Sequence, residues 1–231
     1  GDIFHNKTNI TNESIIAVNW FFTELDKICK TIVVIGNHDF LANNTDRVDS
    51  LRPLFEIGSY KQVIFLDREL GCKSGLYEDD NVVWCLYSMF SDFSRPDITM
   101  DREVHKDDED RVYVGLIHGD VNGAITVTNY VTDNGLDPSV FGGCDFVIAG
   151  HIHKRQEIKK DGVRIVYCSS MKQRAVDESV TGHGFVLWDI EDSDDITYKY
   201  VDVKDEEGGF YKFEINDISD IENDKEELIN Y

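Results

Sequence analysis

Three short apolar runs in this chain each break into a polar cluster built from Gly, Asp, Asn and His. Residues 31–35 (TIVVI) end in Gly36-Asn37-His38-Asp39, residues 112–117 (VYVGLI) in His118-Gly119-Asp120, and residues 145–149 (DFVIA) in Gly150-His151-Ile152-His153. Continuous apolar runs of this length read as strands buried on both faces, the signature of a parallel sheet. A fourth cluster, Gly1-Asp2-Ile3-Phe4-His5, heads the chain. The pattern predicts an α/β fold whose chemistry collects just past the C-terminal ends of its strands.

The remaining elements agree with that class. Ile15, Val18, Phe22, Leu25 and Cys29 recur at threes and fours, with Ile16, Phe21 and Ile28 widening the stripe, which predicts a helix over 13–30 capped by Asn12. A second helix is expected over 46–57 and a short one from Asp137-Pro138-Ser139, while 91–110 reads as an exposed loop or peripheral helix. Further strands are expected at 62–66, 82–87, 163–168, 185–190, 196–203 and 209–215. Early helix–strand alternation followed by strand-rich sequence suggests two or four layers. Trp20, Trp84 and Trp188 read as core, as do Cys29, Cys85, Cys144 and Cys168.

Charge sets limits on partners. The chain carries 23 Lys and Arg against 45 Asp and Glu, a net charge of −22, and half of that excess lies in residues 191–231. A uniformly acidic surface repels nucleic acid, because phosphate affinity comes from Lys and Arg displacing counterions. Residues 154–174 run the other way, with Lys154, Arg155, Lys159, Lys160, Arg164, Lys172 and Arg174 against Glu157 and Asp161. That strip reads either as a solvated strand pair or as a path for a polyanion. Five cysteines without a CxxC pair point to a reducing, intracellular setting rather than a disulfide framework. No apolar run approaches membrane-spanning length.

Five of the seven histidines fall in the four polar clusters. A His-x-His pair at a strand end can bring two imidazoles to one centre. Asp, Asn and His together form the mixed nitrogen and oxygen donor set that suits divalent Mn, Fe or Zn rather than Ca or a thiolate site.

The series GDIFH, GNHD, HG and GHIH, in that order, resembles the calcineurin-like metallophosphoesterase superfamily. The separations fit: 35 residues from Asp2 to Asn37, 80 from His38 to His118, and 33 from His118 to His151. A finer resemblance is to SbcD-like DNA repair and recombination nuclease subunits of the phage or large-DNA-virus type. It is carried by GDIFHNKT, GNHDFLANNTDRVDSLRPLFE and AGHIHKRQ…YCSSMKQ…GHGFVLWDI, and covers most of residues 1–215.

The resemblance implies a four-layer α-β-β-α sandwich of two mixed sheets flanked by helices over residues 1–204. The acidic segment 205–231 is then compatible with the start of a capping domain. It implies two divalent ions, Mn2+ before Mg2+, Fe2+ or Zn2+. Asp2 would bridge them, Asn37, His118 and His151 would complete one site, and His153 would belong to the other. His38 would act as general acid on the leaving oxygen, with Asp39 orienting its imidazole and His5 lining the nucleic-acid side. By position alone, Lys154 and Arg155, directly after the His pair, are candidates to meet the DNA, and Asp120, after His118-Gly119, is a lesser candidate for the layer behind the ligands. The implied partners are DNA and an SMC-type ATPase subunit, a homodimer is compatible, and the expected compartment is the cytoplasm.

One departure matters. The family's first motif, Asp-x-His on an upstream strand, has no match, so the chain reads as N-terminally truncated. One ion then has four candidate ligands and the other only Asp2 and His153, and the expectation is one well-held metal, a second held poorly, and weak or no activity. The leading function is a DNA exonuclease or endonuclease that cuts phosphodiesters by hydroxide attack. Small-nucleotide phosphodiesterase or phosphatase activity, which tolerates the acidic balance, and a non-catalytic binding module are the alternatives.

Overall fold

The computed structural model describes residues 1–41, 43–44, 47–108, 110–204 and 209–210. The acidic segment expected at 205–231, with its strand at 209–215, lies outside the described residues apart from 209 and 210. Asp46, the first residue of the expected 46–57 helix, is outside them too.

The chain is a mixed α/β fold. Helix α1 (Asn12–Leu25) is followed by β1 (Thr31–Val33), α2 (Arg52–Ile57), β2 (Val63–Phe65) and α3 (Leu66–Glu69). Next come β3 (Gly75–Asp79), β4 (Val82–Tyr87), α4 (Ile98–Val104) and β5 (Val112–His118). The chain then runs through β6 (Phe146–Gly150), β7 (Gln156–Lys160), β8 (Val163–Tyr167), β9 (Gly184–Ile190) and β10 (Ile196–Asp202). Six strands form one sheet in the order β3-β4-β5-β6-β8-β7, with β4, β5, β6 and β8 parallel and β3 and β7 antiparallel at the edges. Two smaller sheets are the parallel pair β1-β2 and the antiparallel hairpin β9-β10.

Alternation along the strands sets the core. All seven residues of β5 are buried, as its continuous apolar run requires. One face of the large sheet, with Val83, Tyr87, Ile117, Val147 and Tyr167, packs with Ile98 of α4 and Phe141. The other face offers Leu86 and Leu116 to Leu66, Ile32 and Val34, and offers Val114 and Phe146 to Trp188 of β9. In the β1 segment, Val33 and Ile35 point instead into a cluster with Phe22 and Leu54 from α1 and α2. The period of two thus gives the β1 segment two packed faces.

Several expectations need correction. Thr11, not Asn12, caps α1, its hydroxyl accepting the Ser14 N–H at 3.2 Å. The helix stops at Leu25 rather than 30, because the Asp26 carboxylate takes the amides of Lys61, Gln62 and Val63 and so fixes the chain against the start of β2. Phe22 is the one fully buried residue of α1; Ile16 and Phe21 are exposed, and Trp20, read as core, is 63% exposed. Cys29 is exposed as well, beyond the helix end. Helix α2 begins only at Arg52, where the Asp49 carboxylate accepts the N–H groups of Leu51 and Arg52 and Pro53 sits in the first turn.

Strands β3 and β7 were not individually expected, because edge strands with sequences GLYED and QEIKK lack an apolar run. Much of the basic strip is a solvated strand pair. β7 and β8 form a hairpin whose Lys159 and Arg164 pair with Glu157 and whose Lys160 pairs with Asp137. Among the described residues no helix is long and apolar enough to cross a membrane.

Candidate metal centre

Strands β5 and β6 lie side by side in parallel, with His118 opposite Gly150 in the register. Their polar clusters therefore leave the sheet at one point, as parallel pairing dictates. The end of the β1 segment brings Gly36 and Asn37 to the same point, and Asp2 reaches it from the chain's first residues. His118 Nε2 lies 3.1 Å from Asp2 Oδ2 and 3.2 Å from Asn37 Oδ1. His151 Nδ1 lies 2.9 Å from the same Asn37 oxygen. Donor atoms of Asp2, His118 and His151 all fall within 4.8 Å of one another. Of the residues expected to hold the first ion, all four are brought together.

Close backbone approach makes this convergence possible. A Cβ on Gly36 would stand 2.1 Å from the Asp2 nitrogen and 2.2 Å from its Oδ1, and one on Gly150 would stand 2.9 Å from His118 Nδ1. Asp2, His151 and Ser169 also adopt positive φ (57°, 94° and 80°), a costly conformation for residues with side chains, and all three line the site. Asp2 further accepts the His38 N–H at 2.7 Å, joining the first and second clusters.

The electrostatics match a cation site. Burial pushes the Asp2 carboxyl up, but the hydrogen bond and charge of His118 with the His38 amide outweigh it and hold the group well below the usual carboxylate range. Burial lowers the His118 imidazole, with the Asp2 bond opposing, which makes its ring proton easier to give up. Two oxygens and two ring nitrogens at these separations are the donor set of a borderline divalent ion, so the residues fit such a group. His151 Nε2 also lies 3.6 Å from Asp120 Oδ2, and Asp120 lines the neighbouring cavity.

His153 is not within the tight group, but it lines the same cavity of about 430 Å³ as Asp2, His118 and His151. Its Nδ1 lies 2.6 Å from Glu178 Oε1. A second cavity of about 380 Å³ opens on the other side of the centre, between Asn37, His118, His151, Phe93 and Asp120.

His38 is held differently from expectation. Its Nδ1 lies 2.5 Å from the His5 carbonyl, which can only accept, so Nδ1 carries the proton and Nε2 is left for other work. The His5 ring stacks on the His38 ring at 5.5 Å. Asp39 does not orient that imidazole. It is 2% exposed and its carboxylate takes the N–H groups of Ile3, Phe4 and Gly36 at 3.2, 3.0 and 3.1 Å, locking two loops together. Burial pushes its carboxyl up against those three bonds.

The two side chains expected to meet DNA already have partners within the chain. The Arg155 guanidinium is occupied by the Gly182 carbonyl at 2.7 Å, the Asp202 carboxylate and the Tyr200 ring, which makes it a clamp between a turn and β10. Lys154 donates to Asn129 at 2.8 Å. Lys172 and Arg174 line the 430 Å³ cavity, and Arg174 donates to His5 Nδ1 at 2.6 Å. Arg174 lay inside the basic strip, but its distance in sequence from the His pair hid its place. Glu178 gave no signal, since a lone carboxylate in an aperiodic stretch has no spacing to read.

A second acidic group, Glu78 with Asp101 and His105, is already engaged by a cation. Arg111 reaches Glu78 at 2.7 Å and Asp101 at 3.0 Å, and the Tyr113 hydroxyl donates to Asp101 at 2.8 Å.

No protein-family model matches the chain. It is similar to a viral protein. Over 193 residues it is 34% identical to R555, an uncharacterized protein of Acanthamoeba polyphaga mimivirus. The match takes in 82% of this chain but spans only 14% of that relative's length.

Proposed function

We propose that the chain is a metal-dependent phosphodiester hydrolase of the calcineurin-like metallophosphoesterase type, acting as the nuclease part of an SbcCD-like DNA repair or recombination assembly. One observation carries the reading: Asp2, Asn37, His118 and His151, from four separate segments, turn their donor atoms toward one point. The order of the packed clusters supports the four-layer sandwich. α1 and α2 cover the β1-β2 pair, that pair packs on the large sheet, and α4 covers the far side.

Asp2, Asn37, His118 and His151 would hold one divalent ion, Mn2+ before Mg2+, Fe2+ or Zn2+, and His153 with Asp2 would contribute to a second. When bound, such ions supply Lewis-acid polarisation of a phosphoryl oxygen and make water acidic enough to attack near neutral pH. The chain's own groups divide the rest. In its doubly protonated form His38 would give the Nε2 proton to the departing oxygen, leaving the neutral ring held through Nδ1–H by the His5 carbonyl. Arg174, on the lining of the same cavity, would face the phosphate. Asp39 keeps the loops carrying Asp2 and His38 in register through three backbone bonds.

The net charge of −22 and the engagement of Arg155 favour a second reading, a phosphodiesterase for small nucleotides that needs no basic track. Assays with Mn2+ on labelled duplex DNA, a cyclic nucleotide and bis-p-nitrophenyl phosphate, side by side, separate the two. DNA cleavage abolished by His118→Ala supports the nuclease. Turnover of the small esters alone supports the second reading, and an SMC-type ATPase partner is then not required.

A further inference from the structure

We infer that Glu178 is the positioning residue of the second half of the metal centre, setting the tautomer of His153 and the place of Arg174 with one carboxylate. The inference rests on the metal-centre reading above and deepens it. Glu178 comes from the 168–183 connection between β8 and β9, and its side chain is only 5% exposed. Oε1 meets His153 Nδ1 at 2.6 Å, and Oε2 accepts the Arg174 backbone N–H at 2.8 Å. The Glu178 carbonyl accepts from the buried Gln173 amide at 2.9 Å, so the turn carrying both acid and arginine is pinned from behind.

A carboxylate here accepts from Nδ1–H, so the proton sits on Nδ1 and the Nε2 lone pair is the free donor. Neutral imidazole otherwise distributes its proton by solvent and neighbours, and a fixed tautomer spares a metal ligand that cost. The same acid sets the backbone from which the Arg174 side chain reaches His5, beside His38. Ligand and phosphate-facing cation are thereby placed relative to each other.

The test uses the whole chain and three readouts. In the metal-free protein, long-range ¹⁵N–¹H NMR should find the His153 ring protonated on Nδ1, and Glu178→Ala should shift the ring toward the Nε2–H form. Mn2+ titration should show Glu178→Ala weakening binding about 10- to 100-fold and Glu178→Gln, which keeps an acceptor oxygen, weakening it less. Adding Glu178→Ala to His153→Ala should bring little further loss of Mn2+ affinity. Arg174→Ala should weaken inhibition by inorganic phosphate while leaving the His153 tautomer alone. Should Glu178→Ala lower the melting temperature but leave both tautomer and Mn2+ affinity unchanged, Glu178 merely pins the turn and the inference is overturned. If the wild-type chain binds no Mn2+ at all, the metal reading fails, and the NMR result still decides what Glu178 does.

Discussion

The His38 ring is fixed through Nδ1 by the carbonyl of His5, 2.5 Å away, and not by the neighbouring Asp39. A carbonyl cannot exchange protons with the ring, so it sets geometry while leaving Nε2, once the ring carries a second proton, as the acid. Replacement of His38 by Gln should therefore lower kcat by about 10²–10⁴-fold, the usual worth of a positioned acid, with little change in Mn2+ affinity. A comparable loss of Mn2+ binding in His38→Gln would make the residue a ligand instead.

Two arginines near the His pair should behave in opposite ways. Arg174→Ala should raise KM for a phosphodiester with a small effect on melting, because its guanidinium faces the cavity. Arg155→Ala should leave KM alone and cost about 1–2 kcal/mol of stability, from the lost bond to Gly182 and the contact with the Tyr200 ring. Thermal melts and steady-state kinetics on both variants check this; a KM effect at Arg155 would restore it to the substrate path.

Asp67 makes the fold pH-sensitive. It is fully buried, its Oδ2 takes the Ile35 N–H at 2.9 Å, and its Oδ1 takes the Ser88 hydroxyl. Burial pushes its carboxyl above the ordinary 3.8, with the two bonds opposing. The folded chain then holds that proton more tightly than the unfolded chain, so stability falls as pH rises from about 3.8 through the raised value. Asp67→Asn keeps an acceptor for Ile35 and cannot ionise. Melting temperature against pH should fall less steeply in Asp67→Asn, with a higher midpoint at pH 7, while Asp39 retains its own share of the fall. Asp67→Ala should cost about 1–3 kcal/mol by orphaning the Ile35 N–H. An unchanged profile in Asp67→Asn would show the acid ionises as freely as in the unfolded chain.

Gly36 is a packing requirement of the centre. The nearest obstacles to a side chain there are the backbone nitrogen and Oδ1 of Asp2, so Gly36→Ala must displace the ligand itself. Mn2+ affinity should fall on the order of tenfold or more in a chain that retains its far-UV circular dichroism. Unaltered affinity would mean that Asp2 does not contribute to the site.

The buried parallel strands were legible because β5 and β6 are continuous apolar runs, and the convergence of Asn37, His118 and His151 was legible because each follows such a run, whereas Asp2 comes from the Gly-led cluster that heads the chain. Edge strands β3 and β7 escaped because their residues are half solvated and polar. The length of α1 was overestimated because Ile28 and Cys29 continue the apolar spacing, whereas the Asp26 carboxylate binds the amides of 61–63 and ends the helix. Asp39 was misassigned for a related reason: adjacency to His38 in sequence says nothing of which amides a buried carboxylate will satisfy. Glu178 and Arg174 meet the site only through the tertiary path of the 168–183 connection.

Calorimetric titration of the whole chain with Mn2+, alongside Asn37→Ala and His118→Ala, probes the centre most directly. We expect one tight site in the wild type, a second much weaker one, and loss of the tight site in either variant. No heat of binding in the wild type, or a tight site that survives both substitutions, would mean that the four convergent side chains do not form a metal centre.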